Sequence, residues 1–167
     1  RHLPMIYQPG LGTLDVLGGF SWHSRRIQFA LAIQHPVVQN KNSFDPGEWI
    51  DTPAVNALLR TTGFNRKPDL VGRLMMAQPI GSANGKGSWV FNYGLVPIYH
   101  AGNDTFIDHE ENEVEIAASS GLTLNLSLGL QRTGKHFWQL SIGAPVIARD
   151  VRPEGLPQAG LVMEWGL

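Results

Sequence analysis

Between residues 122 and 131 every even position is leucine: Leu122, Leu124, Leu126, Leu128 and Leu130. The odd positions are Thr123, Asn125, Ser127, Gly129 and Gln131. Successive side chains of a strand point to opposite faces, so this segment has one leucine face and one small polar face. The same period recurs along the chain. Over residues 13–24, Leu14, Val16, Phe20 and Trp22 oppose Asp15, Gly19, Ser21 and His23. Over 27–35, Ile27, Phe29, Leu31 and Ile33 oppose Gln28, Ala30, Ala32 and Gln34. Ser24-Arg25-Arg26 lies between the two runs, which together read as a hairpin. Further strands are predicted over 69–79, 88–100, 137–146 and 161–167. Trp89, Phe91, Tyr93, Leu95 and Tyr99 share a face, as do Trp138, Leu140, Ile142 and Ala144, and Leu161, Met163, Trp165 and Leu167. A short, weaker segment over 3–8 brings the expected count to eight.

The connections alternate in length. Short turns at 24–26, 82–87 (with Asn84-Gly85 as its turn signal) and 132–135 alternate with long segments at 37–68, 101–121 and 148–160. Within the first long segment, Thr52 is placed to cap a helix that begins at Pro53 and stops at Gly63. A strand over the same residues, with Val55, Ala57 and Leu59 on one face, is the rival reading. It would break the alternation, so a helix or irregular loop is preferred.

Neutral polar faces change the meaning of this rhythm. A solvated sheet face usually carries charge, whereas here Asp15, Arg73 and Glu164 are the exceptions among uncharged side chains. Charged residues make up 16% of the 167-residue chain, below the roughly 25% of an average soluble domain. Those present gather in the loops, and Trp22, Trp89, Tyr99, Trp138 and Trp165 fall near strand ends. An apolar face toward lipid, a neutral polar lumen, aromatic girdles and alternating short turns and long loops are features of outer-membrane barrels. The expected fold is therefore all-β: a single domain over 1–167 forming an antiparallel up-and-down transmembrane barrel. A soluble ligand-binding barrel is the alternative, since it too alternates. No run of about 18 apolar residues exists, so no transmembrane helix is expected. A net charge of −1 gives no reason to expect a nucleic-acid partner, and the absence of cysteine excludes disulfides and thiolate metal sites.

Parity nominates Asp15, Gln28, Gln34, Arg73, Asn125, Gln139 and Glu164 as lumen-facing. Asp104, Asp108 and Glu110, in the acidic stretch that continues through Glu111, Glu113 and Glu115, form a weak Ca²⁺ candidate. Their spacing fits no EF-hand, and a solvated acidic loop is the simpler expectation. The six histidines show no HExxH or comparable metal spacing; His100 with Asp104 and Asp108 is the one conceivable ligand set. Ser119-Ser120-Gly121 lacks a nucleophile elbow and reads as a loop-to-strand turn. No catalytic set emerges, so neither enzymatic activity nor a cofactor is expected.

Four motifs occur in order: YQPGLGTLDVLGG at 7–19, GLVPIYHAGNDTFID at 94–108, SSGLTLNL at 119–126 and GAPVIARDVRPEGL at 143–156. Together they resemble uncharacterised bacterial outer-membrane β-barrel proteins, grouped loosely with transporter-like proteins of the phenol-degradation MetA pathway. The resemblance implies an outer-membrane location and passive passage of a small solute, and supplies no catalytic residues. Members of that group are usually longer and tend to end in an aromatic residue, so the expectation extends to the C-terminal portion of a larger barrel. The expected partners are the lipid bilayer and, through the long loops, other envelope proteins. A non-transporting barrel that anchors such a protein is the second expectation.

Overall fold

A computed structural model describes residues 12–40, 63–81, 88–107, 111–134, 137–152 and 159–166. Every regular element among them is a strand: β1 (Leu14–His23), β2 (Ile27–Val38), β3 (Asp69–Ile80), β4 (Ser88–His100), β5 (Thr105–Ile107), β6 (Glu113–Glu115), β7 (Gly121–Thr133), β8 (Phe137–Ile147) and β9 (Gly160–Gly166). Seven of them form one antiparallel sheet in the order β1-β2-β3-β4-β7-β8-β9, curled into a half-barrel. Neighbours in the sheet are neighbours in sequence, apart from the small β5–β6 hairpin inserted between β4 and β7. The predicted segments 3–8 and 52–62 lie outside the described residues.

Cross-strand partners share a face, so the pairing fixes what each face carries. Leu122, Leu124, Leu126, Leu128 and Leu130 stand opposite Tyr99, Pro97, Leu95, Tyr93 and Phe91 of β4. These residues lie on the convex face. The concave face carries Thr123, Asn125, Ser127, Gly129 and Gln131, which oppose Ile98, Val96, Gly94, Asn92 and Val90. At the turn end of the convex face, Trp89 pairs with Arg132, Arg132 with Trp138, and Trp138 with Trp165. Trp89 and Trp138 meet edge to face with ring centroids 4.7 Å apart, and the Arg132 guanidinium lies 5.9 Å from the Trp89 ring.

Local devices curve this sheet. A Cβ on Gly94 would come within 2.1 Å of the Leu74 carbonyl oxygen, and one on Gly19 within 2.5 Å of the Leu31 carbonyl oxygen. Glycine at these sites lets adjacent backbones close on the concave side. Register shifts follow Leu14 and Leu124, beside Pro36 and Pro145. A proline cannot donate to the ladder, so a bulge is where a sheet tolerates one.

The apolar residues are not gathered into a central core. Among the described residues the buried large hydrophobics are Phe64, Met75 and Ile116. Phe64 and Ile116 form a small cluster with Phe106 and Val151 under the long connections. The convex face remains open: Leu14 is 61% exposed, Met163 76% and Trp165 75%.

The connection lengths alternate as expected, with 24–26, 81–87 and 134–136 at one end and 39–68, 101–120 and 148–159 at the other. Two expectations are corrected in detail. Val37 and Val38 belong to β2, because their pairing with β1 runs past the bulge. The stretch 101–121 is not wholly loop: Thr105, Phe106 and Ile107 pair with Glu115, Val114 and Glu113. Its short alternating segments were hidden among the acidic residues.

Candidate functional site

The concave face has two chemically distinct regions. At the long-loop rim, His100 ends β4 and Asp69 begins β3, and the ladder places them opposite each other. His100 Nδ1 lies 2.6 Å from Asp69 Oδ1, and His100 Nε2 lies 2.8 Å from Asp104 Oδ1. A neutral imidazole has one N–H and would set two lone pairs against each other at one of these contacts. The imidazolium donates at both, so the buried ring serves as a cationic tie between two carboxylates.

The tie continues in both directions. Asp104 Oδ1 also accepts the Lys67 backbone N–H at 2.9 Å, and the Asp104 N–H donates to Ser119 Oγ at 2.8 Å. Ser119 Oγ in turn donates to the Ile116 carbonyl at 2.7 Å, while Arg149 donates to the Ser119 carbonyl at 2.7 Å. On the other side, Arg66 Nη2 donates to Asp69 Oδ2, and Arg66 Nη1 lies 3.7 Å from Asp15 Oδ2. Gln34 Nε2 donates to the same Asp15 oxygen. Gln39 holds the Arg66 backbone by accepting its N–H at 2.9 Å and donating to its carbonyl at 3.1 Å. The chain Gln34–Asp15–Arg66–Asp69–His100–Asp104–Ser119 thus joins strands β1 to β4 to the connection before β7.

Below the rim, the concave face carries Arg73 and, on edge strand β9, Glu164. A cavity of about 190 Å³ is lined there by Gln28, Arg73, Asn92, Gln131, Gln139 and Ser141, among others. Asn92 Nδ2 donates to Gln131 Oε1 at 3.4 Å and Gln139 Nε2 to Ser141 Oγ at 2.9 Å. Met75, among the few buried hydrophobic side chains, also borders the cavity.

The register puts all seven sequence-nominated residues on the concave face, but it divides them. Gln28, Arg73 and Gln139 meet at the cavity, whereas Asp15 and Gln34 meet at the rim. Asn125 Nδ2 donates to the Val96 carbonyl at 3.3 Å, and Glu164 stands opposite Gln139 on edge strand β9. Asp15 pairs with Arg66 at the rim, whereas Arg73 lines the cavity.

Sequence reasoning missed Arg66 and Asp69, because nothing local marks a residue of the long connection and the first residue of β3 as members of one network with His100. His100 with Asp104 was the nearest signal. Asp104 departs from the solvated-loop expectation: it is fully buried, and its Oδ1 is occupied by His100 and Lys67 rather than open to a cation. Among the described residues no cluster of His, Asp or Glu has metal-holding geometry, and Asp108 and Glu110 lie outside them. Ser119 is spent on structure, as a loop-to-strand turn requires.

No protein-family model, curated protein or solved structure matches the chain.

Proposed function

We propose that this chain forms the wall of a bacterial outer-membrane β-barrel that admits a small solute passively. The observation that carries the reading is the inverted distribution of polarity. The neutral polar side chains lie on the concave face, interspersed with Ile98, Val96, Val90, Leu17 and Val162, while most of the exposed leucines and aromatics stand on the convex face. A soluble barrel would turn its apolar face inward. Monomeric soluble proteins rarely expose contiguous apolar patches beyond a few hundred Å². Hydrocarbon is the solvent in which this convex face costs nothing.

Strand length supports the same reading. β1, β2, β3, β4, β7 and β8 have 10 to 13 residues, matching the roughly 9–11 that a tilted strand needs to cross a bilayer. The row of Trp89, Arg132, Trp138 and Trp165 fits an interfacial girdle at the short-turn end. In lipid an open sheet edge is untenable, so β1 and β9 require closing strands. Six antiparallel pairings make β1 and β9 run the same way. An odd number of further strands therefore restores antiparallel closure.

The curvature bears on passage. Seven strands make about half a barrel, and a closed barrel of about twice that number leaves an aqueous lumen rather than a side-chain-filled interior. The anchoring alternative draws on the rim, whose buried ties hold the long connections in a fixed arrangement.

The test is reconstitution of the intact protein. We expect extraction to require detergent, and liposomes carrying the protein to swell in an isosmotic solution of a small neutral sugar. Release from the envelope by salt alone would sink the membrane reading. Membrane insertion without swelling or conductance would leave the anchor.

A further inference from the structure

The cavity on the concave face contains an unusual imbalance. Arg73 lines it with Gln28, Asn92, Gln131, Gln139 and Ser141, and none of its lining residues is acidic. No described carboxylate forms an ion pair with Arg73. The acids that share its face are elsewhere: Asp15 and Asp69 are joined to Arg66 at the rim, and Glu164 sits on edge strand β9 outside the lining. Two other described cations are placed away from the cavity. Arg66 is bound into the rim, and Arg132 lies against Trp89 on the convex face. The cavity thus presents one guanidinium among neutral amides and hydroxyls.

We propose that this cavity is a selective subsite for a small monocarboxylate, with Arg73 as its recognition residue; the role in transport rests on the passage reading above. A guanidinium presents two parallel N–H donors at the spacing of a carboxylate's two oxygens. A single cation matches a monoanion better than a dianion, whose second charge would find only neutral partners. The amides of Gln28, Asn92, Gln131 and Gln139 both donate and accept, so they suit hydroxyl or carbonyl groups on the remainder of the solute. The cavity, about 190 Å³, is below the roughly 300–1,000 Å³ typical of drug-sized ligands, which favours a solute of a few carbons. Arg73 itself is exposed to the concavity, so the attraction is screened by salt and gives modest affinity, as rapid passage needs.

Propionate and its neutral near-isostere propionamide distinguish charge recognition from size. Saturation-transfer NMR on the intact, detergent-solubilised protein should show propionate binding, with propionamide at least about tenfold weaker. Arg73→Gln should abolish the difference, and Arg73→Lys should retain part of it. Far-UV circular dichroism confirms that each variant keeps its sheet. Equal binding of both solutes, binding of neither, or discrimination that survives Arg73→Gln in a folded protein would overturn the proposal. Proteoliposome flux separates it from the passage reading. Arg73-dependent binding without flux keeps the subsite and discards passage. Flux that is indifferent to Arg73 keeps passage and discards the subsite.

Discussion

The rim and the wall of this molecule are built on opposite principles. At the rim, His100, Asp104, Ser119 and Phe64 are almost completely buried, and polar groups there are tied to named partners. In the wall, Leu14, Leu161 and Met163 are left 61%, 70% and 76% exposed, and the backbone ladder supplies the order. The rim resembles the interior of a small globular domain, with an apolar cluster and a buried ion network in which Asp15 Oδ1, Arg66 Nε and Asp104 Oδ2 alone lack a hydrogen-bond partner among the described residues. The wall lacks a core of its own and depends on its surroundings to solvate the convex face. That pairing is what the proposed membrane reading requires, a boundary between an aqueous and an apolar medium.

The largest expected effect comes from breaking the rim at its centre. His100→Leu removes the cation that Asp69 and Asp104 share, leaving the buried Asp104 without a cationic partner and Asp69 with Arg66 alone. Such uncompensated burial costs about 3–5 kcal/mol. Urea unfolding in lipid vesicles should show that loss, and long-loop proteolysis should increase before the wall unfolds. A variant that unfolds at the wild-type urea concentration would show that the rim carries no such weight.

The wall is tested by a pair of adjacent residues. Leu126 faces outward and Ser127 faces the cavity side. In a bilayer, Leu126→Arg should cost about 2–4 kcal/mol, whereas Ser127→Arg should cost less than about 1 kcal/mol. Equal costs in vesicles would mean that the two faces do not meet different solvents, and the contrast drawn above would collapse.

The same contrast explains what the sequence revealed. The wall was legible because its period is local: five alternating leucines determine a face without knowledge of any partner. The predicted strands over 69–79 and 88–100 differ from β3 and β4 by at most one residue at either end. The cavity was half legible. Alternation pointed to Gln28, Arg73 and Gln139, yet Asn92 was overlooked among the aromatics of β4, and Gln131 was noted only as one of the polar residues of β7. The rim was nearly opaque, since Asp15, Arg66, Asp69 and His100 come from separate elements and meet only after the sheet has formed. Long-range polar pairing leaves no period for a linear pattern to detect.

A smaller effect is expected within the rim at Ser119. Its hydroxyl accepts the Asp104 N–H and donates to the Ile116 carbonyl in a fully buried setting. Ser119→Ala leaves both groups unsatisfied, at a cost of about 1–3 kcal/mol. The variant should unfold at lower urea than wild type but retain Arg73-dependent propionate binding, because the cavity lies elsewhere on the face. Loss of that binding would show that rim and cavity are one cooperative unit.

The smallest effect probes the exposed fringe of the rim. Glu113 of β6 accepts the Thr105 hydroxyl at 2.6 Å, and that hydrogen bond is the main reason its pKa is lowered. Slight desolvation opposes the shift, while the Lys67 charge and Asn65 reinforce it. A folded-state pKa below the unfolded one means that the contribution is complete above the ordinary glutamate pKa of about 4.3. It is lost as pH falls through the lower folded value, because the protonated carboxyl is the poorer acceptor. The Thr105 and Glu115 amide resonances should therefore shift together with an apparent pKa below the ordinary value, and Glu113→Gln should remove that step. Persistence of the step in Glu113→Gln would assign it to another acid, and the hairpin would then belong to the rim by its apolar packing on Phe64 rather than by this charge-assisted tie.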